Sequence, residues 1–245
     1  MRDARQISNN PGILQDQPGE RTFRQPRILR ELRALVPRRP SVTYSEALMV
    51  AELQAAKLLE LCEIDNGPVP GKIVTELPKL RVERALRSTS GASLWDRGRG
   101  EWVIYLNRFE SWRRQRFTLF HEFKHIVDHG RRHVLYAGPG HHDPDVEAER
   151  AADYFAGCVL VPKKFLKRAW GQGIQKVADL ARLFSVSEVA IEVRLRQTGL
   201  LDCAHREETG VVRHAIGWLA PCQGRRTSGS RWPDPSPLDL VRSLQ

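Results

Sequence analysis

The sequence predicts an α+β fold, mostly helical, with one recognisable strand directly ahead of a helix that carries metal-ligand chemistry. Three observations predict it. Apolar residues recur at helical spacing through much of residues 45–200. One short stretch at 102–106, Trp-Val-Ile-Tyr-Leu, joins aromatic and β-branched residues between turn signals. The helix after it reads His121-Glu122-Phe123-Lys124-His125. Four residues separate the two histidines, so both imidazoles lie on one helix face and can reach one metal ion.

The elements follow in order. Residues 1–40 mix Arg, Gln, Asn and Pro with few aromatics, and the composition predicts a disordered basic arm. Residues 45–64 predict a helix through Leu48, Ala51, Leu53, Ala55, Leu58, Leu59 and Leu61, stopped by Asn66-Gly67-Pro68. Residues 72–86 predict a shorter helix disturbed by Pro78. Residues 96–100 form the turn before the strand at 102–106. Residues 112–129 predict a long helix stopped by Gly130, with Phe120, Phe123, Ile126 and Val127 facing the core. Gly138-Pro139-Gly140 marks a loop. Residues 145–160 predict a helix with an acidic first turn, ended by Pro162. Residues 174–200 hold two helical segments around Phe184-Ser185-Val186-Ser187, and a basic tail of little pattern follows from 204 to 245.

A chain of 245 residues can hold one good core with a smaller module or tails. No apolar run approaches a membrane span, and the polar N-terminus has no apolar leader core, so the expected location is cytoplasmic. The net charge of +10 comes mostly from arginine, in runs at 21–39, 108–116 and 225–231. A solvated basic surface is the favoured reading, with nucleic acid as the less favoured partner. Cys62 and Cys158 sit in apolar helical runs as free thiols. Cys203, His205, His214 and Cys222 have no familiar zinc spacing.

A catalytic zinc has three protein ligands and one open position. His121 and His125 supply two. His129 continues the same face, but a helix rises about 12 Å over eight residues. His129 is therefore too far from His121 to share an ion, and it suits a helix C-terminus. His141 and His142 could bend back from a loop. Glu149 on the next helix is the stronger candidate, in Glu149-Arg-Ala-Ala-Asp153. Asp153 lies one turn on and could fix the orientation of a ligand imidazole through its far nitrogen. Ala151 and Ala152 let helices approach closely. Glu122 would act as general base on a metal-activated water and return the proton to the leaving amine. The strand at 102–106, taken as a sheet edge, could accept an extended peptide. Tyr136, His141, His142 and Tyr154 are the candidates for a second oxyanion donor.

These residues resemble a known family. Arg116-Phe-Thr-Leu-Phe-His121-Glu-Phe-Lys-His125 resembles the core motif of the ImmA/IrrE-type metallo-endopeptidases. Residues 149–162, from Glu149 through Phe155-Ala156 to Pro162, resemble that family's second motif, and Ile104-Tyr-Leu-Asn107 resembles its strand ahead of the metal helix. Residues 177–200 resemble its helix-turn-helix-like segment. The resemblance spans about residues 45–201 and implies a zincin-like α+β domain with a small mixed or antiparallel sheet. It implies His121, His125 and Glu149 as metal ligands and Glu122 as the catalytic glutamate. Many relatives carry a second glutamate where this chain has Ala151, and a methionine where it has Val161.

The expected organisation is a basic arm over 1–40, a metallopeptidase domain over 41–172, a helix-turn-helix-like segment over 173–203 and a tail over 204–245. The resemblance implies a zinc-dependent endopeptidase that cuts a helix-turn-helix repressor. Manganese and iron suit the same ligand set. Two other readings compete. One is a DNA-binding regulator that reads DNA through residues 187–197 with Arg194 and Arg196 exposed. The other is an inactive metal-binding scaffold or toxin-like module, for which an intact Glu122 would be superfluous.

Overall fold

The computed structural model describes residues 28–86 and 88–200. Helix α1, Ile28–Ala34, buries Ile28 and Leu32. It falls in the stretch expected to be a disordered arm through residue 40. Two apolar residues four apart give it one face to bury, which average composition does not register. Helix α2, Tyr44–Leu61, starts at a capping box in which Thr43 accepts from the Glu46 N–H and Glu46 accepts from the Thr43 N–H. Those bonds hold Glu46 down at about 2, with Arg39 contributing. Leu53, expected in the buried stripe, is exposed, and Gln54 is buried beside it.

The helix expected over 72–86 is instead a single turn, α3, Lys72–Thr75, followed by strand β1, Leu80–Ala85. Pro78 has no N–H to donate and steers Leu77 away from helical dihedrals. Strands β2, Gly91–Asp96, and β3, Glu101–Asn107, form a hairpin. The sheet order is β1-β3-β2, with β1 parallel and β2 antiparallel to β3. The strand expected at the edge is therefore the central one. Its Val103, Ile104 and Leu106 are buried.

Helix α4, Trp112–Asp128, packs on β2 and β3 with one face and on helix α6, Pro144–Leu160, with another. Ser111 caps α4, and Asp143 caps α6 ahead of Pro144 in the first turn. Short helix α5, Arg132–Tyr136, joins them. Phe120, Phe123, Ile126 and Val127 face the core as expected. Ala151 and Ala152 are fully buried, and α6 also packs closely along α2. Helix α7, Lys163–Gly171, follows Pro162. Helices α8, Val177–Phe184, and α9, Glu188–Gln197, are joined through Ser185, which takes a left-handed conformation. The whole is a mostly helical α+β zincin-like domain with a three-stranded mixed sheet. Among the described residues, no helix is long and apolar enough to cross a membrane. The tail, its arginines and the cluster of Cys203, His205, His214 and Cys222 lie outside them.

Candidate metal centre

Helix α4 turns its phenylalanines inward and leaves His121 and His125 partly exposed on the adjoining face. Helix α6 crosses that face and presents Glu149. The three side chains converge. His121 Nε2 lies 3.1 Å from His125 Nε2 and 3.2 Å from Glu149 Oε2, and His125 Nε2 lies 3.3 Å from Glu149 Oε1. A tetrahedral ion with bonds near 2.0–2.1 Å separates its ligand atoms by ~3.3 Å. The two imidazole nitrogens stand near that spacing, each faces a different oxygen of Glu149 at a similar distance, and one ligand atom from each of the three residues lies within 4.8 Å of the others.

The far side of His121 is also held. Its Nδ1–H donates to Asp153 Oδ1 at 2.8 Å, so Nε2 is the nitrogen that faces the cluster, and its lone pair is free for an ion once its proton is displaced. Burial works against a charged His121, but hydrogen bonds to Asp153 and Glu149 outweigh it and push its pKa up to about 10. Burial likewise works against the Glu149 carboxylate, and His121 and His125 overcome it, holding Glu149 below its ordinary value. Imidazole nitrogens and carboxylate oxygens thus surround one point that favours positive charge. A metal ion fits that donor set better than a proton does, because it can be shared by all three groups at once.

Glu122 is buried next to this point, on the sheet side of α4. A Cβ on Gly91 would fall 2.9 Å from Glu122 Oε1 and 2.4 Å from Thr118 Cγ2, so only glycine fits against the carboxylate there. The start of β2 is therefore the sheet edge next to the cluster. Sequence reasoning missed this contact, since a glycine after a Ser-Thr-Ser loop carries no sign of what it touches.

Other expected candidates have different roles. His129 is the C-cap of α4, and its ring meets Trp102 edge-on at 4.9 Å. His141 pairs through Nδ1 with Glu147 and donates Nε2–H to the Val42 carbonyl at 2.6 Å. Tyr136 donates to Asp128 and Tyr154 donates to Glu52. His142 is exposed on the loop. Arg194, expected on the outer face of a DNA-reading helix, is buried. It donates to the Val161 carbonyl and to Gln197. Arg196 pairs with Glu192 on the same helix.

The surroundings hold α4 firmly. Arg33 donates to the carbonyls of Ile126 and Val127, and so caps the last turn of α4. Arg116 donates to the Val69 carbonyl and to those of Phe184 and Ser185 at the end of α8. Burial lowers the Arg116 pKa to about 10, and the negative end of α8 suits its charge.

Residues 81–196 match the family Peptidase_M78, described as IrrE N-terminal-like domain. No curated protein matches the chain. Among solved structures, a Mycobacterium tuberculosis transcriptional regulator is similar at 18% identity with a TM-score of 0.49. That similarity covers 69% of this chain and 51% of the other, so this chain spans about half its length.

Proposed function

With residues 81–196 belonging to the ImmA/IrrE-type peptidase family, we propose that the protein is a metal-dependent endopeptidase with His121, His125 and Glu149 as ligands and Glu122 as general base. The observation that carries this reading is the convergence of two imidazole nitrogens and the Glu149 carboxylate within 4.8 Å of one another beside an intact Glu122. Zinc is the favoured ion for two imidazoles and a carboxylate, and manganese and iron suit the set as well.

When bound, the ion supplies a Lewis acid that acidifies water and polarises the scissile carbonyl. Asp153 keeps His121 in the tautomer that offers Nε2. Glu122 accepts the proton of the attacking water and delivers it to the leaving amine. The edge of β2, unpaired among the described residues, receives the substrate, since β3 is already paired on both sides. An extended peptide there adds as a further strand and is held through its backbone, with its scissile bond carried past Glu122.

The substrate that suits the resemblance is a helix-turn-helix repressor. The test is to incubate zinc-loaded wild type and Glu122→Gln with helix-turn-helix repressors from the same genome. Wild type should cleave one of them, and Glu122→Gln should retain zinc but lose about 10²–10⁴ in rate. Equal cleavage by both would sink the assigned base. Burial of Arg194 and pairing of Arg196 count against DNA reading by α9.

A further inference from the structure

The three most exposed large apolar side chains among the described residues gather at one corner of the fold. Phe109 is 68% exposed, Leu86 63% and Trp112 58%. Leu86 follows β1, Phe109 lies in the turn after β3, and Trp112 opens α4. The backbone there is held. The Arg108 N–H donates to the Ala85 carbonyl at 3.1 Å, and Gln115 accepts from Arg84 Nε at 2.9 Å while donating to the Glu110 carbonyl at 2.8 Å. The three side chains therefore stand in water on firm supports, an arrangement that marks an interaction surface.

The same corner is basic. Arg84, Arg108 and Arg113 form no ion pair among the described residues. The Arg108 guanidinium carbon lies 4.9 Å from the Phe109 ring centroid, and that of Arg116 lies 5.3 Å from the Trp112 centroid, so positive charge and ring are offered together. Arg113 and Arg114 stand in the first turn of α4, which holds no acid although the helix dipole favours acids there. Glu110, the carboxylate within this turn, is engaged by Ser90 Oγ at 2.5 Å and faces Arg114.

The corner adjoins the edge proposed for substrate. Ser90 immediately precedes β2, and its carbonyl accepts from the Asn107 N–H at 2.9 Å while its Oγ lies 3.4 Å from Arg114 Nη2. A peptide paired along β2 and leaving at Gly91 passes Glu122 and then this corner. Resting on the endopeptidase reading, we propose that Leu86, Phe109, Trp112, Arg84, Arg108 and Arg113 form an exosite that holds an acidic segment of the protein substrate, one that also carries apolar side chains, outside the cleaved bond. Carboxylates meet the arginines, and apolar side chains cover the rings and Leu86. Backbone pairing along β2 gives affinity without reading sequence, and the corner supplies the selection. Leu86 has no ring on which a base could stack, and continuity with the β2 edge favours a peptide over a nucleic acid or an anionic membrane.

The test is binding to the zinc-loaded full chain. The probes are a fluorescein-labelled peptide Asp-Glu-Leu-Asp-Phe-Glu-Leu-Asp, its counterpart with lysine at every acidic position, a labelled oligothymidine and phosphatidylglycerol vesicles. Anisotropy reads the first three and co-sedimentation the last. At low salt the acidic peptide should bind about 10-fold or more tightly than the lysine peptide. Arg108→Glu with Arg113→Glu, and Phe109→Ser with Trp112→Ser, should each weaken it about 10- to 100-fold. Zinc content and circular dichroism of both double variants should match wild type, and Glu122→Gln should bind the peptide as wild type does. Equal binding of the two peptides, or binding that survives both double variants, overturns the exosite. Tighter binding of oligothymidine or vesicles than of the acidic peptide, lost in the same variants, overturns the peptide assignment. On a repressor that wild type cleaves, both double variants should raise KM about 10-fold with kcat unchanged. An unchanged KM overturns the exosite and leaves the endopeptidase reading standing. A chain that takes up no zinc and cleaves no repressor loses that reading, and the exosite with it.

Discussion

Lys124 lies inside the His-Glu-x-x-His segment, yet it is fully buried. Its Nζ donates to Asp128 Oδ1 at 2.5 Å and to Gln54 Oε1 at 2.8 Å. Tyr136 donates to the other Asp128 oxygen at 2.6 Å, and Gln54 passes the network on to the Leu32 carbonyl at 3.1 Å. Four elements, α1, α2, α4 and α5, meet on this one ammonium group. Lys124→Met keeps most of the volume and removes the charge. Asp128 is then a buried carboxylate with only the Tyr136 hydroxyl, and Gln54 Oε1 loses its donor. Breaking one side of such a pair costs about 3–5 kcal/mol. For a domain of this size that is about 6–20 °C in Tm. Removing both charges together, as Lys124→Met with Asp128→Asn, should cost less than the two single effects added, because neither variant side chain strands a charge. Urea unfolding of the four proteins of this cycle, followed by circular dichroism, gives the coupling directly. A loss below about 1 kcal/mol for Lys124→Met, or a coupling near zero, would refute the reasoning and return Lys124 to the status of an incidental residue.

Further outcomes follow from other contacts. Asp153→Asn keeps the shape and weakens its hold on His121, so zinc affinity by chelator competition should fall about 10- to 100-fold while the fold is retained. Gly91→Val puts a Cβ against Glu122 and Thr118. It should lower kcat about 100-fold, a misplacement effect, with zinc content unchanged, and unchanged kcat would show that β2 gives way. Hydrogen bonds to Glu147 and the Val42 carbonyl hold His141 above its ordinary pKa. Both ring nitrogens face acceptors, so the folded state favours the imidazolium. This contribution is complete below the unfolded value of about 6.5 and is lost as pH rises through the raised folded value. Wild type should therefore lose stability relative to His141→Gln as pH rises above about 6.5 in parallel urea titrations, and parallel curves would remove the assignment.

The sequence showed the site better than the sheet. His121, His125, Glu149 and Asp153 each repeat at four residues on well-capped helices, so their faces are fixed by helical geometry alone. Strand β1 reads Leu-Arg-Val-Glu-Arg-Ala, a composition rich in helix formers, and becomes a strand through its parallel register with β3. Strand β2 begins Gly-Ala-Ser, which has little β-propensity, and is held by antiparallel pairing with the same strand. Whether β3 is central or an edge depends on partners that its own residues do not encode. Arg194 reads as a surface cation in any pattern of polar and apolar positions. The carbonyl of Val161, the side chain of Gln197 and the ring of Tyr154 explain its burial.

These misreadings and the candidate site are linked through α4. Its last turn is capped by Arg33 from the supposed arm. Its first half is tied by Arg116 to the end of α8. Its middle is fixed by Lys124 to α1 and α2, and its sheet face rests against Gly91 of a strand that sequence did not reveal. Each restraint comes from a residue outside the proposed ligand set and acts on the one helix that carries two of the proposed ligands and the proposed base. A small zinc module draws its fold from the ion, because its ligands are placed only when the ion is bound. Here the helix is positioned by buried charge and carbonyl capping, and the candidate ligand atoms already lie within 4.8 Å of one another. An ion bound there would be free to serve chemistry rather than stability, which accords with the proposed hydrolytic role.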